Sequence, residues 1–206
     1  RSSGATAALR LLGESFPWSP ASEFCYLEDN HTSVLGIRQY AATAGARFSS
    51  VDASLQCGCS QELLRRFDGP AGQQQGAEGV FHLFAYPCES NFSGRRYPLS
   101  EWIDRAHCSG VGHRAGSGRT LVLLDAAKFC ATERLDLQRH RADFAVVSFY
   151  KLFGYPTGLG ALVAKREAAA LLRKQYFGGG TVEAAMPGDG FVVLRREVER
   201  RFEDGT

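Results

Sequence analysis

Asp143-Phe144-Ala145-Val146-Val147-Ser148-Phe149-Tyr150-Lys151 decides how the rest of the chain is read. Its apolar centre, Phe144 to Val147, is short, rich in valine and followed by the turn-rich run from Leu152-Phe153-Gly154 to Gly158-Leu159-Gly160. That is the pattern of a strand buried in a parallel sheet. It places Lys151 at the carboxyl end of a core strand, the edge at which open α/β sheets bind ligands. Desolvation or neighbouring cations there would lower the pKa of the amine, and a neutral amine can condense with an aldehyde. A lysine at a strand end is also commonly a solvated boundary residue, so position alone does not assign it.

Upstream, Thr120-Leu121-Val122-Leu123-Leu124 is the most strand-like run and ends on Asp125. Asp125 reads either as a cap for the next turn or as a carboxylate able to keep an overlying pyridine nitrogen protonated. Val80 to Tyr86 is a further strand, stopped by Pro87 and followed by the polar loop Glu89-Ser90-Asn91-Phe92-Ser93-Gly94. Leu99, Trp102, Ile103 and Ala106 then mark one face of a helix. Glu23 to Leu27 is a strand that leads through Asn30-His31 into a helix from about Ser33 to Ala42. His31, at that junction, suits stacking on a flat ligand or acid/base work, and equally a capping or surface position. Ala46 to Val51 forms another strand; from Ala53 to Gly79 the composition shifts to Cys, Gly and Gln, with Ala71 to Ala77 a mobile connection.

At the amino end, Ser2-Ser3-Gly4-Ala5-Thr6 feeds an apolar helix whose first turn would suit a phosphate or be an ordinary capped start. Leu135 to Arg141 reads as a polar helical turn, and the basic loop Gly110 to Gly118 is too loosely spaced for a phosphate-binding motif. After Lys151 come a strand from Gly160 to Ala164 and a helix from Arg166 to Gln175. Strands alternating with helices predict an α/β fold, a three-layer sandwich with a mostly parallel sheet. Thr6, His31, Asn91, Asp125, Ser148 and Lys151 all fall at strand ends or helix starts, the edge that builds the site in such a sheet.

The 206 residues carry a net charge of +2, with 44% hydrophobic and 22% charged residues. That length suits a single domain with a sizeable core. A near-neutral balance gives no reason to expect nucleic acid or an acidic membrane surface as partner. No apolar run approaches bilayer length, and Arg1-Ser2-Ser3-Gly4 is not a signal peptide. Cys25, Cys57, Cys59, Cys88, Cys108 and Cys130 include one close pair, and no second pair completes a zinc site, so no metal is expected. They read as reduced thiols of an intracellular, cytoplasmic protein. Both ends read as cut, so the chain is expected to be an internal piece of a longer one.

The set Gly4-Ala5-Thr6, Asn30-His31, Ser90-Asn91, Asp125-Ala126-Ala127, Ser148-Phe149-Tyr150-Lys151 and Glu203-Asp204-Gly205-Thr206 resembles, in order and spacing, the class V aminotransferase fold of pyridoxal-phosphate cysteine desulfurases. Three stretches narrow this: Tyr86-Pro87-Cys88-Glu89-Ser90-Asn91-Phe92-Ser93-Gly94, Tyr176-Phe177-Gly178-Gly179-Gly180-Thr181 and Arg201-Phe202-Glu203-Asp204-Gly205-Thr206. With the Ser148 to Gly160 run they most resemble the amino-terminal domains of eukaryotic molybdenum cofactor sulfurases. The resemblance implies the large domain of a fold type I pyridoxal-phosphate transferase. It implies that Lys151 carries the cofactor as a Schiff base, Asp125 pairs with the pyridine nitrogen, His31 stacks on the ring and Asn91 reaches the ring hydroxyl. Ala5, Thr6 and Ser148 would hold the phosphate, and Thr206 resembles a threonine that relatives contribute across a homodimer interface.

Two departures stand out. Tyr150 occupies the place where desulfurases usually carry histidine, and can still donate to phosphate. Lys128 stands where many carry glutamine, and could bind the cofactor or point to solvent. The implied reaction removes sulfur from L-cysteine as an enzyme persulfide, leaving L-alanine, and sulfurates the molybdenum cofactor, with molybdenum hydroxylases such as xanthine dehydrogenase and aldehyde oxidase as clients. The resemblance places the persulfide cysteine, the substrate-gripping arginine, the small domain and a carboxy-terminal molybdenum-cofactor-binding (MOSC-type) domain beyond residue 206, so the fragment alone is expected to be inactive. The alternatives are a general cysteine desulfurase or selenocysteine lyase of the same fold, or a non-catalytic binding module.

Overall fold

A computed structural model describes residues 2–52, 79–110, 118–154 and 158–203. The elements are α1 (Ala5–Ser15), β1 (Glu23–Leu27), α2 (Thr32–Leu35), α3 (Ile37–Thr43), β2 (Arg47–Val51) and β3 (Phe81–Pro87). Then follow α4 (Leu99–Ser109), β4 (Arg119–Asp125), β5 (Phe144–Ser148), α5 (Phe149–Phe153), β6 (Gly160–Ala164), α6 (Arg166–Leu171), β7 (Val182–Ala185), β8 (Val192–Leu194) and α7 (Val198–Phe202).

Six strands form one sheet in the order β2-β1-β3-β4-β5-β6, parallel throughout except for β6, which runs antiparallel to β5. A parallel return needs a crossover of roughly a dozen residues or more. The 149–159 connection spends its first residues on α5, and β6 turns straight back.

The central strands are apolar along their length because both faces are covered. Val122 and Leu124 point into one core with Tyr86, Trp102 and Ile103, under α4. Leu121 and Leu123 point into the other with Leu9, Leu12, Ile37 and Phe144, under α1 and α3. This period-2 division makes the three layers. Trp102 on α4 is fully buried and packs edge-on against Tyr86, with ring centroids 5.2 Å apart. Removing a side chain of that size from a core costs about 3–5 kcal/mol.

Several boundaries differ from the sequence reading. β5 ends at Ser148, so Lys151 lies on the helical turn that follows rather than on the strand itself. The single helix expected over 33–42 is two pieces meeting at Gly36, which keeps right-handed helical angles. The helical turn expected over 135–141 is present as a single turn, closed by His140 N–H to Asp136 O at 2.8 Å, with the Asp136 carboxylate accepting from the N–H groups of Gln138 and Arg139. α6 stops at Leu171, where Leu172 becomes extended and Arg173 N–H bonds to Ser15 O at 2.7 Å. The β7–β8 hairpin was not anticipated. The expected connection over 71–77 falls outside the described residues, as do Cys57, Cys59, most of the 110–118 loop and Thr206.

Because β1, β3, β4 and β5 run the same way, the segments after Leu27, Pro87, Asp125 and Ser148 gather at one edge of the sheet. The amino-terminal turn joins them. Ser2 and Gly160 exchange N–H···O bonds, both 2.9 Å, which tie the start of α1 to β6.

Candidate functional site

At this edge lies a cavity of about 240 Å³, and Ala5, Thr6, His31, Asn91, Asp125, Ser148, Tyr150 and Lys151 all line it. Eight of the nine expected site residues thus come together from five separate segments; the ninth, Thr206, lies outside the described residues. A larger cavity of about 360 Å³, among α1, β6, α6 and α7, contains none of them and is lined in part by Leu11, Leu162, Leu172 and Phe202. The polar groups converge in the smaller one, which makes it the candidate site.

Lys151 sits on α5, one turn past the end of β5, and its Nζ donates to Asn91 Oδ1. The Tyr150 ring, 42% exposed, lies 5.9 Å from that nitrogen. Asn91 owes its place to Asp29, which the sequence reading did not single out. Asp29 accepts from Ser90 Oγ (2.8 Å), Ser93 Oγ (2.7 Å) and Tyr97 Oη (2.7 Å), fastening the loop after β3 to the loop after β1. These partners lie 61 to 68 residues away in sequence, so no local signal pointed to them. Next to it, Asn30 Nδ2 donates to the carbonyls of Leu27 and Ala85, bridging β1 and β3 immediately before His31.

Asp125 ends β4, is 3% exposed and accepts the Ala127 N–H at 3.0 Å. Burial pushes its carboxyl above the ordinary range, against the Ala127 bond and the charges of Lys151 and His31. A buried carboxylate in that condition is one that a cation would relieve. Ser148 is 1% exposed and its Oγ has no hydrogen-bond partner among the described residues. An orphaned hydroxyl at a buried position costs free energy unless something fills the cavity it lines.

The amino terminus of α1 completes the wall. Gly4 precedes it at φ 96°, a left-handed conformation suited to glycine, and Ala5 and Thr6 form the first turn with their N–H groups unused within the helix. Thr6 Oγ1 is 2.8 Å from Ser33 Oγ, which is 3.0 Å from His31 Nδ1. His31 is both a cap and a cavity residue, since its Nδ1 accepts the Ser33 N–H at the start of α2 (3.2 Å). Ser33 also lines the cavity, and its one visible signal was the His-Thr-Ser run at a strand-to-helix junction.

Lys128 is not among the cavity residues. It pairs at 3.4 Å with Glu89, a buried carboxylate that Arg96 also holds at 3.1 Å. None of the four described cysteines lines the cavity either: Cys25 and Cys88 are buried, and burial pushes the Cys88 and Cys130 thiols up. Among the described residues there is no His/Cys/Asp/Glu group able to hold a metal and no helix long and apolar enough to cross a membrane. The site therefore offers an amine for a carbonyl, a buried carboxylate for a cation, and a helix start with a vacant hydroxyl for an anion.

Residues 2–206 match the family model described as aminotransferase class-V. The chain is 49% identical over 210 residues to the molybdenum cofactor sulfurase of Bos taurus and 46% identical over 222 residues to that of Solanum lycopersicum. Each comparison covers 99% of this chain but only 23% and 27% of the relative, so the chain spans about a quarter of the length of these curated relatives. Among solved structures, a cysteine desulfurase from Escherichia coli superposes with a TM-score of 0.79 at 21% identity, covering all of this chain and 47% of that one. A variant of the cystine C-S lyase C-DES, with glycine covalently linked to its PLP cofactor, gives 0.78 at 20% identity, covering all of this chain and 50% of that one.

Proposed function

Because the chain belongs to the class V aminotransferase family, we propose that it is the cofactor-holding part of a pyridoxal-phosphate-dependent sulfurtransferase, one that takes sulfur from L-cysteine and delivers it to the molybdenum cofactor. The observation that carries this reading is the meeting of Lys151, Asp125, Asn91, His31, Ser148 and the α1 turn in one cavity. The 44–49% identity to molybdenum cofactor sulfurases supports the acceptor, against 20–21% to the desulfurase and lyase structures.

The residues present fit pyridoxal phosphate on three independent grounds. Asp125 is a buried carboxylate pushed towards its neutral form by desolvation, and a protonated ring nitrogen would supply the missing positive charge. Ser148 Oγ is buried and unpartnered beside the α1 amino terminus, which suits a phosphate. Lys151 supplies a primary amine already oriented by Asn91. When bound, the cofactor supplies an electron sink for charge developing at the substrate's α-carbon.

The chain's own groups then have separable tasks. Asp125 keeps positive charge at the far end of the site, and the low local dielectric strengthens that interaction. Asn91 orients the Lys151 amine and, with His31, lines the cavity that amine enters. The α1 turn, Thr6, Ser148 and Tyr150 position an anion so that the reacting end is fixed relative to Lys151. Lys151 is the group placed to move a proton at the substrate α-carbon, since among the described residues no other amine lines the cavity. Sulfur abstraction needs a thiolate, and none of the described cysteines faces the cavity. We place that nucleophile, and the part of the protein presenting the acceptor, outside the described residues, since the chain spans about a quarter of its curated relatives.

Borohydride reduction after incubation with pyridoxal phosphate, followed by peptide mass spectrometry, tests the reading. A pyridoxyl adduct confined to Lys151 is the expected result. Labelling spread over surface lysines, in the full-length protein as well, would remove the cofactor and with it the enzymatic reading.

A further inference from the structure

We propose that Ser33 is a positioning residue that couples the anion-holding turn at Thr6 to the ring of His31 through a two-hydroxyl relay; the coupling to an anion rests on the cofactor reading above. The Ser33 backbone N–H can only donate, so His31 Nδ1, at 3.2 Å, is its acceptor and carries no proton. The neutral ring is therefore the Nε2–H tautomer, and Nε2 has no hydrogen-bond partner among the described residues. Ser33 Oγ lies 3.0 Å from the same Nδ1, and with that nitrogen unprotonated the hydroxyl must donate to it. Its lone pairs then accept the Thr6 hydroxyl at 2.8 Å. Two hydroxyl hydrogens thus run in one direction, from Thr6 to Ser33 to His31.

A phosphate at the α1 turn asks Thr6 for its single hydrogen. Thr6 Oγ1 must then accept from Ser33, and Ser33 turns a lone pair towards Nδ1 in place of a donor. Anion binding at one wall of the cavity in this way removes a hydrogen bond to the ring on another. The second observation that points to an anion here is Ser148 Oγ, buried, unpartnered and lining the same cavity. The charged groups around the ring are Asp125 from β4 and Lys151 from α5, with Glu28 and Asp29 on its own loop; α1 contributes Thr6, which is uncharged.

The test is 15N NMR of the histidine side chains of the full-length protein, with inorganic phosphate as the probe. An imine nitrogen that loses a hydrogen bond shifts downfield, so without phosphate Ser33→Ala should move the His31 Nδ1 resonance downfield, while Ser33→Thr stays near the parent position. Phosphate should move the parent resonance towards the Ser33→Ala position and move Ser33→Ala itself by less. Should Ser33→Ala not fold, Ser33→Cys, which keeps the size and is a much weaker donor, is read in the same way. An Nδ1 resonance at the same position in parent and Ser33→Ala without phosphate overturns the relay, whatever phosphate does. A Ser33-dependent resonance that phosphate cannot move overturns the coupling and the phosphate site together, and so marks a failure of the cofactor reading.

Discussion

Gly160 and Gly4 meet backbone to backbone: a Cβ on Gly160 would lie 2.5 Å from the carbonyl carbon of Gly4 and 2.8 Å from the nitrogen of Ala5. Those atoms belong to the turn that presents the helix start to the cavity, and backbone cannot swing aside as a flexible side chain can. Gly160→Ala must therefore push the α1 turn away from β6. Overpacking of this kind costs about 1–3 kcal/mol. Pyridoxal phosphate affinity, measured by fluorescence quenching, is expected to fall about tenfold or more with the far-UV circular dichroism unchanged. Parent-like affinity would show that the turn takes no part in holding the anion.

Asp125→Asn separates stability from chemistry. Desolvation raises the Asp125 carboxyl in the folded chain, so its contribution to stability is fully present below the unfolded value and is lost as pH rises through the raised one. The amide has no such loss. Without cofactor, Asp125→Asn is expected to equal or exceed the parent in midpoint temperature near neutral pH and to flatten the decline on raising pH. Turnover of cysteine by the full-length protein should fall on the order of 10²-fold or more, the scale seen when one preorganised electrostatic group is removed. A variant that loses stability in parallel with activity would mean that Asp125 is a structural cap.

Asp143, just ahead of β5, behaves in the opposite sense. Its burial disfavours charge, but the His107 hydrogen bond at 2.6 Å, the Val122 N–H and the charges of His107 and Lys165 overcome that and hold the carboxyl below its ordinary range. Stability from this group is present above the unfolded carboxylate range and is lost as pH falls through the lowered value. Acid unfolding monitored by circular dichroism should lose much of its steepness in Asp143→Asn. Asp143→Ala strands the partners of a fully buried carboxylate and should cost about 3–5 kcal/mol in denaturant melts. A loss below about 1 kcal/mol would show that the His107–Asp143–Lys165 cluster is dispensable.

Much of the site was legible because each residue stands at a point where the pattern changes. His31, Asp125 and Ser148 each close or follow an apolar run, and parallel strands send all such points to one edge. The family resemblance then supplied the roles that pattern alone left open. The antiparallel turn of β6 was not legible, since periodicity reports burial but not strand direction. Asp29 and Ser33 escaped for a different reason. Their partners are side chains brought close only by the fold, and a polar residue in a loop carries no mark of the hydrogen bonds it will make. Lys128 shows the same limit: a departure from the family pattern was visible, but its consequence was not.

That consequence is testable. The Lys128 ammonium is 38% exposed and pairs with Glu89 at 3.4 Å, away from the cavity lining. Glu89 also holds Arg96, and Arg96 reaches Glu133 at 2.9 Å, so the four charges clamp the base of the loop that carries Asn91 to the segment after β4. A partly exposed pair of this kind contributes about 0–1 kcal/mol. Lys128→Met should lower the denaturant midpoint slightly, more at low salt than at high salt because screening already weakens the pair. The Lys151 adduct and pyridoxal phosphate affinity should stay within about twofold of the parent, because Glu89 keeps Arg96 and the Asp29 bonds still hold the loop. A tenfold loss of affinity in Lys128→Met would instead place the ammonium on the cofactor, in the role that glutamine fills in many desulfurases.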